Sequence, residues 1–349
     1  MNILFVNLRS DVQGHKFFDS LYVDSLSRNG RVYLMTPPDW YDHEFSENVT
    51  PIVVKTAKNP YVDLIRKIRA IRRAVGRNRI DLVVLSTFFV NRMPLILRFL
   101  CRKGLAVALV HHNTVDLLSE DEKTARTFVK YRDRVYHFVF ESYIRDHLVN
   151  DFGTDGSRVF VIPHPLIDRR TPSDAKTFDC VSLGNAGDES VIEAFVEKEK
   201  NERVFEKAGL CVYFKSKTVE FDDGYLTVKK GYLSNEEFGA LMRSAKRALI
   251  FYPPSYHYRV SGVAMEAVGY GARIVANPIE LFRRYAEEYP GLIEWIERGE
   301  DLLPLLSNAA PDGDACVERF IADHSVDTVA RIMADAFARI SGQTKRDRG

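Results

Sequence analysis

No apolar run in the 349-residue sequence approaches the roughly 18 residues of a membrane span, because Arg98, Arg102 and Lys103 interrupt the best stretch. The start, Met1-Asn2-Ile3-Leu4-Phe5-Val6-Asn7, has neither a basic leader nor a cleavable apolar core, so it reads as a first strand and the expected location is cytoplasmic. Cysteine is scarce: Cys101, Cys180, Cys211 and Cys316 are widely spaced, which suggests neither a CxxC metal site nor a disulfide framework and leaves four buried thiols. An excess of one charge is missing too, since 49 Lys+Arg stand against 48 Asp+Glu for a net +1. That removes the simplest case for a nucleic-acid binder, which usually carries a marked basic excess. No G-x-G-x-x-G follows a strand, which argues against a dinucleotide-dependent dehydrogenase.

What is present describes a soluble globular chain, with 46% hydrophobic, 28% charged and 11% aromatic residues. Its length favours two domains. Short apolar runs predict strands at 3–7, 31–35, 52–55, 82–87, 106–110, 135–140 and 159–162, with amphipathic helices at 17–27, 62–75 and 93–102 among them. Strands alternating with helices need crossovers, and crossovers generate a parallel sheet covered on both faces. After a proline-marked stretch the pattern restarts, with strands at 178–183, 210–214, 248–251 and 273–276 and helices at 189–205, 235–245 and 263–268. The expected class is α/β, two doubly wound Rossmann-like domains facing across a cleft. We place the N-terminal domain at 1–168, a linker at 169–177, the C-terminal domain at 178–325, and a last helix and polar tail at 326–349, with the helix expected to pack back on the first domain.

Charge divides unevenly along the chain. Residues 1–170 hold 26 Lys+Arg against 19 Asp+Glu, giving +7, and the remainder holds 23 against 29, giving −6. One predicted helix concentrates the excess: Arg66, Arg69, Arg72 and Arg73 lie beside Lys67, Arg77 and Arg79, over an apolar stripe of Leu64, Ile65, Ile68, Ile71 and Val75. Two readings stand, a face attracted to anionic lipid and a solvated outer face of a domain helix.

The segment 252–278 carries the most chemistry. A strand ends near Tyr252, an irregular loop follows, and Ser261-Gly262 opens a helix that Gly271 closes. Serine at an N-cap followed by glycine presents backbone N–H groups at the positive end of a helix dipole, which suits a diphosphate. Arg259 stands where it could add a bidentate phosphate contact, and Glu266, one turn on, where it could accept from a ribose hydroxyl.

Together with Glu266-Ala267-Val268-Gly269-Tyr270-Gly271 and the preceding Gly231-Tyr232-Leu233-Ser234-Asn235-Glu236-Glu237-Phe238, this segment resembles the nucleotide-sugar glycosyltransferases of the GT-B fold, especially family 4. The resemblance implies that Glu266 holds the donor ribose and that Tyr232 and Leu233 flank the base. Tyr258 stands where the family's E-x7-E motif has its first glutamate, so the donor sugar is held differently or another family of the same fold is closer, and the stereochemistry does not carry over. Gly14 takes the place of the Gly-rich turn after the first strand. Val110-His111-His112-Asn113 resembles the family's H-[DN] site and points to His112, as a group that orients the acceptor or relays a proton. Pro163-His164-Pro165 matches a segment entering the linker and serves as a fold marker. Where the family has V-G-R, Leu183-Gly184-Asn185 lacks the arginine, and Lys215 or Lys217 is expected to supply the charge.

The resulting expectation is a metal-independent hexosyltransferase without a cofactor. It would move a sugar from a nucleotide diphosphate donor to a glycan or lipid-linked acceptor in cell-surface polysaccharide synthesis, at the inner face of the membrane and without nucleic acid. His112 and Glu266 are the expected catalytic pair. Gly14, Lys215, Tyr232, Leu233, Tyr258, Arg259, Ser261 and Gly262 join Glu266 as donor contacts. The alternatives are a sugar-nucleotide epimerase of the same architecture and a non-catalytic sugar-binding protein. Asp312-Gly313-Asp314 spells a metal-binding pair but reads as a surface turn.

Overall fold

Residues along the first strand alternate between two buried faces, and this alternation sets the layering of the N-terminal half. In the computed structural model, which describes residues 1–9, 15–100, 105–171, 175–185, 187–308 and 315–346, β1 (Asn2–Asn7) sends Leu4 and Val6 into one apolar cluster and Ile3 and Phe5 into another. It is followed by α1 (Lys16–Ser27), β2 (Arg31–Thr36), β3 (Val49–Val53), α2 (Pro60–Asn78), β4 (Leu82–Thr87), α3 (Met93–Leu100), β5 (Ala106–Val110), α4 (Thr114–Glu120), α5 (Glu122–Val129), β6 (Tyr136–Val139), α6 (Ser142–Asn150) and β7 (Val159–Val161). The seven strands form one parallel sheet in the order β3-β2-β1-β4-β5-β6-β7. Pro51, which cannot donate to a ladder, lies on the edge strand β3. On one face Leu64, Ile68 and Ile71 of α2 and Ile96 and Leu97 of α3 cover the sheet.

The second unit comprises Leu166–His257 and Ser261–Asp323. Its elements are β8 (Cys180–Ser182), α7 (Glu189–Glu202), α8 (Val204–Ala208), β9 (Val212–Ser216), β10 (Phe221–Asp222), β11 (Leu226–Lys230), α9 (Asn235–Arg243), β12 (Arg247–Ile250), α10 (Gly262–Gly269), β13 (Arg273–Ala276), α11 (Glu280–Glu288), β14 (Ile293–Trp295), α12 (Leu302–Leu306) and α13 (Ala315–Asp323). The sheet order is β10-β11-β9-β8-β12-β13-β14, parallel except for the antiparallel β10–β11 pair. Phe195, Phe205, Val212 and Phe214 build the cluster on one face, and Val181, Met242, Ala248 and Ala267 the cluster on the other.

The last helix, α14 (Val326–Arg346), belongs to the first unit, which consists of Met1–Pro165, Tyr258–Val260 and His324–Gly349. Val329, Met333, Phe337 and Ile340 join Phe18, Tyr22 and Leu26 of α1 on the face that Ile3 and Phe5 also line. Asn29 Nδ2 donates to the Ala330 carbonyl at 2.8 Å. The single helix expected over 189–205 is two: Arg203 takes a left-handed φ of 51°, and the buried Glu199 side chain caps the second by accepting from Phe205 N at 2.7 Å. The β10–β11 pair and the three-residue β14 were not expected from the sequence pattern.

Candidate functional site

In the C-terminal unit the chain leaves β8 for β9 on one side and later crosses to β12 on the other. Open parallel sheets bind ligands outside the carboxyl ends of the strands at such a switch point. The residues there are linked by contact. Ser261 caps α10, its hydroxyl accepting from Ala264 N at 3.0 Å and bonding the Tyr252 hydroxyl at 2.7 Å. Ser261 is thereby buried and spent on the helix, and Gly262 is the exposed residue of the pair, with open space where a Cβ would stand. Gly184, just past β8, lies against the second residue of the helix: a Cβ there would be 3.7 Å from Val263 Cγ2. Asn185 follows, and its side-chain oxygen accepts from Lys215 Nζ at the carboxyl end of β9. The Lys215 ammonium also sits 5.1 Å from the ring centre of Tyr232. Burial and the neighbouring Lys217 lower the Lys215 pKa, and Glu189 opposes them.

Tyr232 is 86% exposed, beyond Gly231 at φ 103°, whereas Leu233 packs into the cluster beneath α9 and α10. Ser234 and Glu237 close a capping box on α9, which pins this loop to the helix that follows it. Glu266 lies one turn into α10. Burial raises its carboxyl to about 7, with the positive charge of Arg169 acting in the opposite direction. The unit thus gathers an ammonium, an exposed helix N-terminus and an exposed aromatic ring at one strand-end crevice, while the Glu266 carboxyl lies one turn along α10 beside Arg169.

Tyr258 and Arg259 group with the N-terminal unit. Tyr258 stacks on His147 of α6 with ring centres 3.7 Å apart and planes 4° from parallel. Its backbone N–H donates to Asp116 Oδ1 at 2.5 Å, and Arg259 Nε pairs with the other oxygen of the same carboxylate. Asp116 is 3% exposed on α4 and was not singled out from the sequence.

His112 follows β5 at the sheet's carboxyl edge. Its ring packs edge-on to Phe18 (4.5 Å) and His15 (4.3 Å). Burial, with the neighbouring histidines, holds its pKa well below the usual value, so it is a neutral imidazole. Among the described residues, its Nε2 is buried without a hydrogen-bond partner. His111 points into the core and bonds Nδ1 of His137 through Nε2 at 2.9 Å. His164, held down to about 3 by burial, shares the Phe18 and Phe140 rings, and His324 Nδ1 bonds the His164 carbonyl at 3.0 Å. Next to the β1/β4 switch, the buried Asp19 accepts from Asn7 Nδ2 (2.9 Å), the Tyr41 hydroxyl (3.0 Å) and the Ser86 hydroxyl, and burial raises it to about 6. Asp19 sits in a helix whose sequence pattern gives no sign of this role. Gly14 lies outside the described residues, as does Asp312-Gly313-Asp314. Among the described residues, no group of three or more His, Cys, Asp or Glu is placed to hold a metal ion.

Arg66, Arg69, Arg72 and Arg73 are all exposed on α2, but Lys67 is not: it is 4% exposed, pairs with Asp63 at 2.8 Å and donates to the Leu8 carbonyl at 2.9 Å. Beside the arginines, Tyr61, Val62 and Ile65 of α2 and Leu95 and Phe99 of α3 are exposed as well. Arg92 lies 4.7 Å over the Tyr61 ring, joining the starts of the two helices. No helix among the described residues is long and apolar enough to cross a membrane.

No protein-family model matches the sequence, and no curated protein does. Solved structures match over nearly the whole chain. AviGT4, a glycosyltransferase involved in avilamycin A biosynthesis, is 14% identical with a TM-score of 0.62, over 98% of both chains. Sucrose-phosphate synthase from Thermosynechococcus elongatus is 14% identical with a TM-score of 0.61, over 99% of this chain and 98% of that one. Anabaena HepE in complex with UDP-glucose is 12% identical with a TM-score of 0.56, again over 99% and 98%. Two seven-stranded, mainly parallel α/β sheets with flanking helices are common ground: the chain has the GT-B fold of two Rossmann-like domains.

Proposed function

We propose that this chain is a family-4-like glycosyltransferase that moves a hexosyl group from a nucleotide diphosphate donor to a hydroxyl of a glycan or lipid-linked acceptor. The observation that carries the reading is the cluster of Lys215, Tyr232 and the exposed Gly262 end of α10 at the carboxyl ends of β8, β9 and β12, with Glu266 one turn further along the same helix. Each group suits one part of the donor. Tyr232 offers a ring face to the base, and Glu266 in its ionised form accepts from the ribose hydroxyls. Lys215 and the N–H groups of α10 face the diphosphate. A solved structure similar to this chain is a complex with UDP-glucose, which agrees with a donor of this class.

In the transfer, the acceptor oxygen bonds to the anomeric carbon and the bond from that carbon to the diphosphate oxygen breaks. The bonding pair and the growing negative charge go to the departing diphosphate. Preorganised donors that meet charge where it develops, here an ammonium and a helix dipole, stabilise that state without a metal ion. His112, kept neutral by burial and with Nε2 unpartnered among the described residues, has the form needed to accept a hydrogen bond or the proton from the acceptor hydroxyl.

The exposed arginines and apolar side chains of α2 and α3 support a peripheral location at an anionic membrane face, and so a lipid-linked acceptor of a cell-surface polysaccharide pathway. The deciding experiment measures sugar transfer and donor hydrolysis over a panel of nucleotide sugars, with and without lipid-linked acceptor. We expect transfer with one donor class that requires no added divalent ion. Donor turnover to an epimerised nucleotide sugar, or no turnover together with no nucleotide affinity, would overturn the reading.

A further inference from the structure

We propose that the C-terminal unit carries a second anion site, for a small phosphorylated molecule, at the end of its sheet opposite the donor crevice. The inference goes beyond the transferase reading and does not depend on it. A cavity of about 320 Å³ is lined by Arg170, Lys176, Lys246 and Arg273, with Tyr270 and Gly271 beside them. Lys246 immediately precedes β12 and Arg273 is the first residue of β13, so the cavity belongs to the amino ends of the parallel strands, whereas Lys215 and Gly262 lie at the carboxyl ends. The two places are related by α10, whose eight residues span about 12 Å: Gly262 opens the helix, and Tyr270 and Gly271 follow its last residue.

The cations are fixed in place. Arg273 is nine-tenths buried and donates from Nη1 to the Gly291 carbonyl at 2.9 Å. Lys176 Nζ donates to the Tyr270 carbonyl at 3.3 Å. Arg170 grips Asp168 through Nε and Nη2 at 2.9 and 2.8 Å, and Lys246 pairs with Asp179 at 2.7 Å. Gly271, at φ 75°, is needed for the turn, and a Cβ there would come within 3.1 Å of Arg170 Cγ, so glycine keeps the arginine against the cavity wall. Asp168 and Asp179 offset part of this positive charge, and a multiply charged anion held in the hollow would accept from side chains on several separate segments. The volume is at the lower end of the roughly 300–1,000 Å³ of small-molecule sites. A hollow of this size fits a phosphomonoester or diphosphate in solution better than the face of a bilayer.

Calorimetric titration of the full chain with pyrophosphate tests the site. We expect saturable binding that weakens at least tenfold in Lys176→Glu/Lys246→Glu and persists in Lys215→Ala, which disables the donor crevice instead. Absence of saturable binding, an unchanged affinity in the double variant, or a loss confined to Lys215→Ala would each overturn the proposal. Lys246 is about half exposed, so Lys246→Gln provides a milder arm, expected to weaken pyrophosphate several-fold, should the double variant fail to fold. Co-sedimentation with vesicles of phosphatidic acid and phosphatidylcholine separates a free phosphate from a lipid headgroup: equal sedimentation of wild type and Lys246→Gln is expected, and a defect seen with vesicles but not with pyrophosphate would refute the soluble ligand class.

Discussion

Glu266 and Asp19 are both carboxyls raised by burial, yet their surroundings give them different consequences. Asp19, raised to about 6, is fully satisfied by Asn7, Tyr41 and Ser86. Removing it in Asp19→Ala leaves the buried donors of Asn7 and Ser86 and the half-buried Tyr41 hydroxyl without their acceptor, and we expect a loss of about 3 kcal/mol or more in denaturant unfolding. The folded state holds this proton more tightly than the unfolded state does. The contribution of Asp19 to stability is therefore complete below about pH 4 and declines as pH rises through 6, so the measured cost of Asp19→Ala should be larger at pH 4.5 than at pH 7 by on the order of 2 kcal/mol. Glu266, raised to about 7, has Arg169 as the influence favouring its charge. If a ribose binds the carboxylate, binding releases a proton below pH 7, and donor affinity should rise as pH rises from 6 to 8. In Glu266→Gln that dependence should vanish and affinity should fall about tenfold or more; calorimetry with the nucleotide at the two pH values checks both.

At the scale of elements, α2 has to serve two environments. Leu64, Ile68 and Ile71 cover the sheet while Arg66, Arg69, Arg72 and Arg73 stay exposed. Replacing these four arginines with glutamate should abolish co-sedimentation with anionic vesicles at low salt and spare transfer to a soluble acceptor, since each basic side chain near such a surface is worth about 1 kcal/mol. Unchanged sedimentation would leave α2 as a solvated helix. Elements of this kind were legible in the sequence because composition and burial coincide: Ile3 to Val6 form an unbroken apolar run, and β13 spans 273–276 around the apolar Ile274, Val275 and Ala276. The break at Arg203 was not, because a left-handed residue other than glycine has no compositional mark and its support comes from the buried Glu199. The β10–β11 hairpin did leave a trace in Asp223-Gly224, with Gly224 at φ 89°, although two residues of strand are too few to show alternation. Asp116 was invisible for a different reason: its partners, Tyr258 and Arg259, are more than 140 residues away.

At the scale of the molecule, the sequence suggested domains at 1–168 and 178–325 with the last helix returning to the first, and the first unit is assembled from three stretches of chain that also include Tyr258–Val260. The crevice proposed for the donor, by contrast, is built from residues within the second unit, which is why its motif could be read as a local pattern. A fragment of residues 1–165 lacks Val329, Met333, Phe337 and Ile340, each buried in the first unit. We expect this fragment to expose the α1 face, bind a hydrophobic dye and unfold without a sharp transition, and a peptide of residues 324–346 to restore cooperativity in part. A sharp, dye-free transition of the fragment alone would contradict that account.

The placement of α14 also bears on the order of events during synthesis. The sheet of the first unit is complete in sequence by Val161, but the helix that seals one of its faces is made about 180 residues later. At roughly 5–20 residues per second, Ile3, Phe5, Phe18 and Tyr22 wait on the order of ten to forty seconds for their cover. The second unit, whose last residue precedes α14, can close first. The half made first is thus the half that finishes last, and that interval is when a chaperone has most to shield.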